Sequence, residues 1–315
     1  MWTRRIFGVL VLCYALFCLV LGIGLGEIAF RAWKAPITAP PPFLAVARQF
    51  GAELQQVSVN ASDGVVLRAW FLRPTKARAE AVILLHGVGD NREGMTGFAE
   101  LFISHGYSVL LPDVRAHGTS GGDFPTYGIK EVDDLHRWYA WLQKRERFDC
   151  VFGMGESMGA AIILQAVRTI PFCAVVAESP FASFRQIAYI RVGQIFHGTA
   201  WLGRILLRPA VELGLLYGRL TRGVNLGQAS PQESVIPTSI PILLIHGLAD
   251  NNIPPHQSEI IQAQNPRHVN LWEVPDAGHC GASNTAPSEF NLHVLGWFAA
   301  HNDSNLQQHR PTAPE

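Results

Sequence analysis

A nucleophile, a base and an acid, each in a loop-forming context, are the residues of this chain with chemistry to offer. The nucleophile is Ser157, enclosed in Gly155-Glu156-Ser157-Met158-Gly159 between an apolar run and a helix-forming run. Glycine tolerates sharp turns and close backbone approach, so Gly155 and Gly159 let the chain reverse tightly around one serine, where a strand stops and a helix begins. A serine hydroxyl attacks poorly at neutral pH without an adjacent base, and that base needs a third group to fix its tautomer and balance its charge. Of twelve histidines, His279 fits the base, because it follows the last apolar strand-like run and has Gly278 and Gly281 close on either side. His86 also ends an apolar run, but Gly87 follows at once, a setting in which a histidine supports the backbone. Asp250, just past the apolar run of LLIHGLADNNIP, is the expected acid, with Glu178 and Asp276 competing for the same histidine. Attack on a carbonyl builds an oxyanion, which preorganised backbone N–H groups must face. Met158, first in the new helix, and Val88, in the turn His86-Gly87-Val88-Gly89, are the expected donors.

These residues need a scaffold that delivers them to one place. Val57 to Pro74 alternates apolar and polar residues around Asp63-Gly64, the pattern of a hairpin. Then the rhythm changes. Short apolar runs at 81–85, 107–111, 150–154, 174–177, 242–245 and 269–274 alternate with helical spacing at 95–104, 132–142 and from Met158 onward. Apolar strands separated by helices imply a parallel sheet covered on both faces, with active groups gathered where strands end. The chemistry-bearing residues do follow the runs. Between about 181 and 237 the strand signal disappears while apolar side chains stay dense, which reads as an inserted helical cap. Asp123, Asp133 and Asp134 fall on turn or helical segments and read as solvated surface, with no metal site implied.

At 315 residues and 48% hydrophobic content the chain can bury a large core. Basic and acidic residues balance at 25 each, so nothing electrostatic points to nucleic acid. Ile6 to Gly26 runs 21 residues without a charge, long enough to cross a bilayer, and the residues after it lack the small-residue pattern of a signal-peptidase site. Residues 1–35 therefore read as an uncleaved single-pass anchor with Trp33 at the interface, followed by a linker at 36–56 with Pro-rich punctuation from Pro36 to Pro42, a catalytic domain at 57–301 and a polar tail at 302–315. Arg4 and Arg5 on one flank and Arg31 and Lys34 on the other leave orientation open; an inside amino terminus would put the domain in the periplasm or outside the cell. Cys150, Cys173 and Cys280, an odd number without C-x-x-C spacing, read as buried free thiols, although neighbouring strands at 150 and 173 would permit a bond outside the cytosol.

Taken together, LLHGVGDN, LPDVRAHGTSGG, GMGESMGAA, LLIHGLADNNIP and PDAGH resemble the α/β-hydrolase family, in particular its serine aminopeptidase-like and membrane-anchored bacterial members. The resemblance covers about 57–300, and the order Ser157, Asp250, His279 is that family's order of nucleophile, acid and base. It implies an α/β fold with a mostly parallel eight-stranded sheet, no cofactor, and cleavage of an ester, thioester or amide. It also implies that Asp113, Arg115, His117 and Gly118 lie in a loop bracing the site. A serine esterase or lipase-like enzyme acting on small or lipid-like acyl substrates is the expected activity; an acyltransferase or peptidase with the same triad, or a non-catalytic membrane-bound binding protein, are the alternatives.

Overall fold

The computed structural model describes residues 2–37, 43–196 and 200–302. In chain order its helices are α1 (Trp2–Ala29), α2 (Phe43–Gln49), α3 (Thr96–Ser104), α4 (Glu131–Arg145), α5 (Met158–Ala166), α6 (Phe184–Ile195), α7 (Ala200–Ile205), α8 (Arg208–Arg222), α9 (Pro231–Ser234), α10 (His256–Gln264), α11 (Ala282–Thr285) and α12 (Pro287–Ala300). The strands are β1 (Gln55–Asn60), β2 (Val66–Leu72), β3 (Glu80–Leu85), β4 (Ser108–Pro112), β5 (Cys150–Glu156), β6 (Val175–Glu178), β7 (Ile242–Gly247) and β8 (Val269–Val274). They form two compact units, residues 1–31 with 183–229, and residues 32–182 with 230–315.

The second unit is built on one sheet of eight strands in the order β1-β2-β4-β3-β5-β6-β7-β8. β1 and β2 are the expected hairpin, antiparallel to each other, and β2 is antiparallel to β4; every later pairing is parallel. β3, β4, β6 and β7 are buried along their whole length, which is why they read as continuous apolar runs. One core layer packs Leu135, Trp138, Ile162 and Ile163 from α4 and α5 against one face. The other packs Phe98, Phe102, Phe290 and Phe298 from α3 and α12 against the opposite face, with Phe152 and Phe298 stacked at 4.3 Å.

Three expectations change here. The stretch read as a linker folds in part as α2, with Ala47 and Ala52 buried in the core, while residues 38–42 and the tail beyond Asn302 lie outside the described residues. Trp33 pairs through its backbone with the loop after β4: its N–H donates to the Ala116 carbonyl at 2.8 Å and its carbonyl accepts from the Gly118 N–H at 3.0 Å. The helical insert of the first unit runs from Ser183 to Ala229, whereas Ala182 and Val235, inside the expected cap, belong to the sheet's core. Finally, Cys150 and Cys173 are not free thiols but a disulfide joining the starts of β5 and β6, Cα atoms 5.6 Å apart. Adjacent parallel strands bring the two Cα atoms within bridging range, a proximity no spacing in the sequence reveals.

The bridge closes a loop 23 residues apart in sequence, and the chain-entropy account of cross-links assigns such a loop about 3 kcal/mol. Non-reducing peptide mapping will recover 150 and 173 in one linked fragment, and Cys173→Ser will lower the thermal midpoint of the purified protein. Equal midpoints for the two proteins would contradict the bridge.

Candidate active site

Sheet geometry dictates the turn at Ser157. At the end of β5 the chain must reverse between β3 and β6 without displacing either. A Cβ on Gly155 would collide with the Gly159 backbone, and one on Gly159 would collide with the carbonyls of Leu85 and His86. Only glycine fits both places. Ser157 itself is forced to φ 51°, ψ −111°, a conformation rarely open to side chains, and its N–H donates to the Glu178 carbonyl at 2.8 Å. This is the strained turn expected of the G-x-S-x-G run.

Folding brings Ser157, His279 and Asp250 into one hydrogen-bonded chain. His279 Nε2 lies 3.0 Å from Ser157 Oγ, and its Nδ1 lies 2.7 Å from Asp250 Oδ2. The imidazole keeps 23% of its side-chain surface exposed, whereas the Asp250 carboxylate has none. The loop carrying His279 is held from several sides. Gly247 has no room for a Cβ because the Ala277 carbonyl passes against it. Ser179 Oγ accepts from the Cys280 N–H at 3.2 Å, and Glu178 Oε1 accepts from the Ala282 N–H at 2.9 Å. Glu178, read as a rival acid, thus positions the loop, and Asp276 is exposed in the turn after β8.

Asp250 Oδ1 accepts from the N–H groups of Asn252 and Ile253 at 2.8 and 2.9 Å. Burial works to raise its pKa, but the hydrogen bonds from His246, His279 and Ile253 outweigh it and hold the carboxyl well below the usual range. His246 gives no signal in the sequence, hidden in an apolar strand four residues before Asp250. It is fully buried, with Nδ1 2.6 Å from Ser258 Oγ, Nε2 2.8 Å from the Ile253 carbonyl and 3.4 Å from Asp250 Oδ2.

On the other side of the nucleophile, Gly87 runs so close that an added Cβ would stand 3.4 Å from Ser157 Cβ. Val88 therefore follows directly in the turn beside the serine, and Met158 opens α5. His86 is buried and supports this turn: its Nε2 accepts from the Val114 N–H at 3.0 Å and Nδ1 faces the Gly87 carbonyl at 2.8 Å. The loop after β4 is equally tied. Asp113 accepts from the N–H groups of Arg92 and Thr119 at 2.9 and 2.7 Å, and Gly118, at φ 45°, has no room for a side chain beside that carboxylate. Burial, then the neighbouring His86, push His117 down to about 4, so it is neutral near pH 7. Asp134 is not the surface residue its helical setting suggested; it is buried in a two-point ion pair with Arg115, at 2.6 and 2.5 Å. Asp133 and Asp123 are at least partly exposed. Among the described residues no group of three or more His, Cys, Asp or Glu is gathered so as to hold a metal ion.

Glu156 and Glu178 are register partners on adjacent strands. Burial, followed by repulsion from Glu178 and Asp90, raises Glu156 to about 8; burial, opposed by the Ala282 N–H and His246, raises Glu178 to about 7. A glutamate in the unfolded chain titrates near 4.5. Between that value and about 7–8 the native state holds protons the unfolded state has released, so stability falls as pH rises through the window. Thermal unfolding followed from about pH 5 to about pH 9 will show this fall, and Glu156→Gln will flatten it. Parallel slopes in the two proteins would clear Glu156 of the effect.

A model of the alpha/beta hydrolase family matches residues 82–291. The Bacillus subtilis protein YqkD is 30% identical over 185 residues, 56% of this chain and 57% of that one, so the chain spans just over half of that relative. YfhR of Salmonella typhimurium is 25% identical over 303 residues, 89% of this chain and 90% of its own. Among solved structures, the Pyrococcus furiosus esterase Pf2001 has a TM-score of 0.68 at 23% identity over 87% of this chain and 98% of that one, a likeness of fold.

Proposed function

The chain belongs to the alpha/beta hydrolase family, and from that premise we propose that it is a serine hydrolase working through an acyl-enzyme, with Ser157 as nucleophile, His279 as base and Asp250 as the orienting acid. The observation that carries the reading is the unbroken relay from Asp250 through His279 to a serine on a strained turn, with links of 2.7 and 3.0 Å. In this reading Ser157 Oγ attacks the acyl carbon while its proton passes to His279 Nε2. The oxyanion faces the N–H groups of Val88 and Met158, the latter at the positive end of α5. Collapse breaks the bond to the leaving group, which takes the proton back from His279. Water then enters by the same route, its proton on His279 and its oxygen on the acyl carbon, and the bond to Ser157 Oγ breaks as that oxygen takes the proton from His279, releasing the acid and restoring the free serine.

Asp250 suits its role because the bonds that keep it ionised also fix the Nδ1–H tautomer of His279, leaving Nε2 free to accept. Carboxylic or lipid-like esters are the preferred substrates. The reason is physical: α1 is 28 residues long and contains an 18-residue window of mean hydropathy 2.8, and an anchor of that kind holds an enzyme where long acyl chains are concentrated. The same residues would serve an acyl transfer if an alcohol reached the acyl-enzyme instead of water. A globular domain on the non-cytosolic side is favoured by the Cys150–Cys173 bond, since thiols are kept reduced in the cytosol.

A fluorophosphonate probe will label the wild-type protein and not Ser157→Ala; labelling of both, or of neither, would sink the assignment. With a p-nitrophenyl ester, Asp250→Asn will lower kcat by about 10⁴ through the wrong tautomer. Replacing Val88 by Pro removes one oxyanion donor without touching the relay, with an expected loss of ~10²–10³; a Val88→Ala variant should turn over normally.

A further inference from the structure

The unit formed by residues 1–31 and 183–229 presents its own surface, apart from any catalysis. Within it α1 lies along α8 with almost no space between them. A Cβ on Gly22 would stand 2.6 Å from the Ala210 carbonyl and 2.9 Å from Leu213 Cβ, one on Gly214 would stand 2.8 Å from the Gly22 carbonyl, and one on Gly26 would stand 2.8 Å from the Tyr217 ring. Gly22 and Gly26 on α1 both meet Gly214 on the insert, backbone to backbone, and the ring of Phe30, just past the end of α1, lies on Gly218, so small residues at four-residue spacing let the apolar helices approach closely. Polar links border this seam. Tyr14 OH donates to the Leu206 carbonyl at 2.5 Å, Tyr217 OH donates to Glu27, and Arg222 lies 3.4 Å from the same carboxylate. Phe17 meets Phe196 edge to face at 6.3 Å.

Lengths decide what surrounds this pair. Contacts with the insert run along α1 from Tyr14 to Phe30, about 24 Å at 1.5 Å per residue. Ahead of Tyr14 the uncharged run has only Ile6 to Cys13, about 12 Å, against ~30 Å of hydrocarbon. An α1 that enters a bilayer therefore carries part of the insert in with it. The insert is dressed for that. Ile195, Phe196, Trp201, Ile205, Leu216 and Leu220 expose between 42% and 75% of their surface. Leu216 and Leu220 sit three residues beyond Leu213 and Tyr217, which face α1, so their exposed sides continue the apolar surface of the anchor. Charge agrees: residues 183–229 hold six arginines, one glutamate and no lysine or aspartate, and residues 1–31 add three arginines and one glutamate. Since the whole chain balances at 25 and 25, the remainder holds 16 basic and 23 acidic residues. The positive charge is concentrated in the unit with the bare apolar side chains, and long arginine stems can lie along apolar surface while their heads reach phosphate.

We infer that the insert is a second membrane contact: its edge around Trp201, Ile205 and Leu220 lies in one leaflet of a bilayer beside α1, with its arginines on anionic phospholipid headgroups. This rests on α1 being an anchor and is independent of the catalytic reading.

The test uses the full chain with p-benzoylphenylalanine placed singly at Trp201, Ile205 or Leu220, at Val9 within α1, and at Lys144 on the exposed face of α4. Each protein is reconstituted in equimolar phosphatidylcholine and phosphatidylglycerol vesicles, irradiated, and analysed by mass spectrometry for lipid adducts. Adducts are expected at 201, 205, 220 and 9 and not at 144, with phosphatidylglycerol enriched severalfold over phosphatidylcholine at the three insert positions. Adducts at Val9 alone would overturn the second contact and leave the anchor standing; none at any position would overturn both; equal yields of the two lipids would overturn the role given to the arginines. Three independent exposed positions guard against one variant failing to fold. Fluorophosphonate labelling of the same samples reports separately on the catalytic reading, so the two can fail independently.

Discussion

The tight crossing at the end of β5 is the constraint on which the site depends. A strand has to stop, turn back as a helix and leave its neighbours in place, and the carbonyls of Leu85 and His86 leave no volume for a side chain at Gly159. The cost appears as a serine with positive φ, a conformation worth of order 1–3 kcal/mol for a residue other than glycine. That cost is offset by the sheet around it, through the bond from Ser157 N–H to the Glu178 carbonyl and through the buried α5 behind it. Positive φ recurs at Ser179, Asp276 and Cys280, beside the loop that carries His279. Strain is thus concentrated at one sheet edge, where three loops must converge.

The same edge sorts its carboxyl groups by what surrounds them. Asp250 sits where two backbone N–H groups and two imidazoles point at it, so its charge is well supported. Glu156 and Glu178 sit side by side on adjacent strands, and each finds its charge opposed by burial and by other carboxylates. An anion beside a histidine and, nearby, two acids whose pKa burial pushes upward share this edge. His246 gains meaning in this setting: it is packed between Ser258 and Ile253 and stiffens the short segment that presents Asp250.

Much of this could be read in the residues. The parallel strands show because a strand buried on both faces must be apolar throughout, and the elbow shows because glycine at 155 and 159 has few other uses between a strand and a helix. The side chains at 157, 250 and 279 stand out as residues that end strands, and they do come within hydrogen-bond distance of one another. Other features depend on partners distant in sequence, and no local pattern names a partner. Asp134 looks like any acid on a helix until Arg115 arrives from the loop after β4. Cys150 and Cys173 become neighbours only when β5 pairs with β6. Trp33 meets the backbone of His117 in a bridge that no local pattern announces. The glycines of α1 and α8 are four residues apart in each helix, but spacing within one helix cannot say which other helix it fits.

That last pairing makes the insert and the amino-terminal helix depend on each other. Gly214 takes the backbone of α1 and Gly218 takes the ring of Phe30, so α8 offers a shallow trough, and Cys18 and Phe30 are buried against it. A chain trimmed of its first thirty or so residues would keep the trough and lose its filler, baring helix backbone and apolar side chains together. The amino-terminal helix and the insert are thus shaped to each other, and the fold of α8 as described is the fold it has with α1 in place.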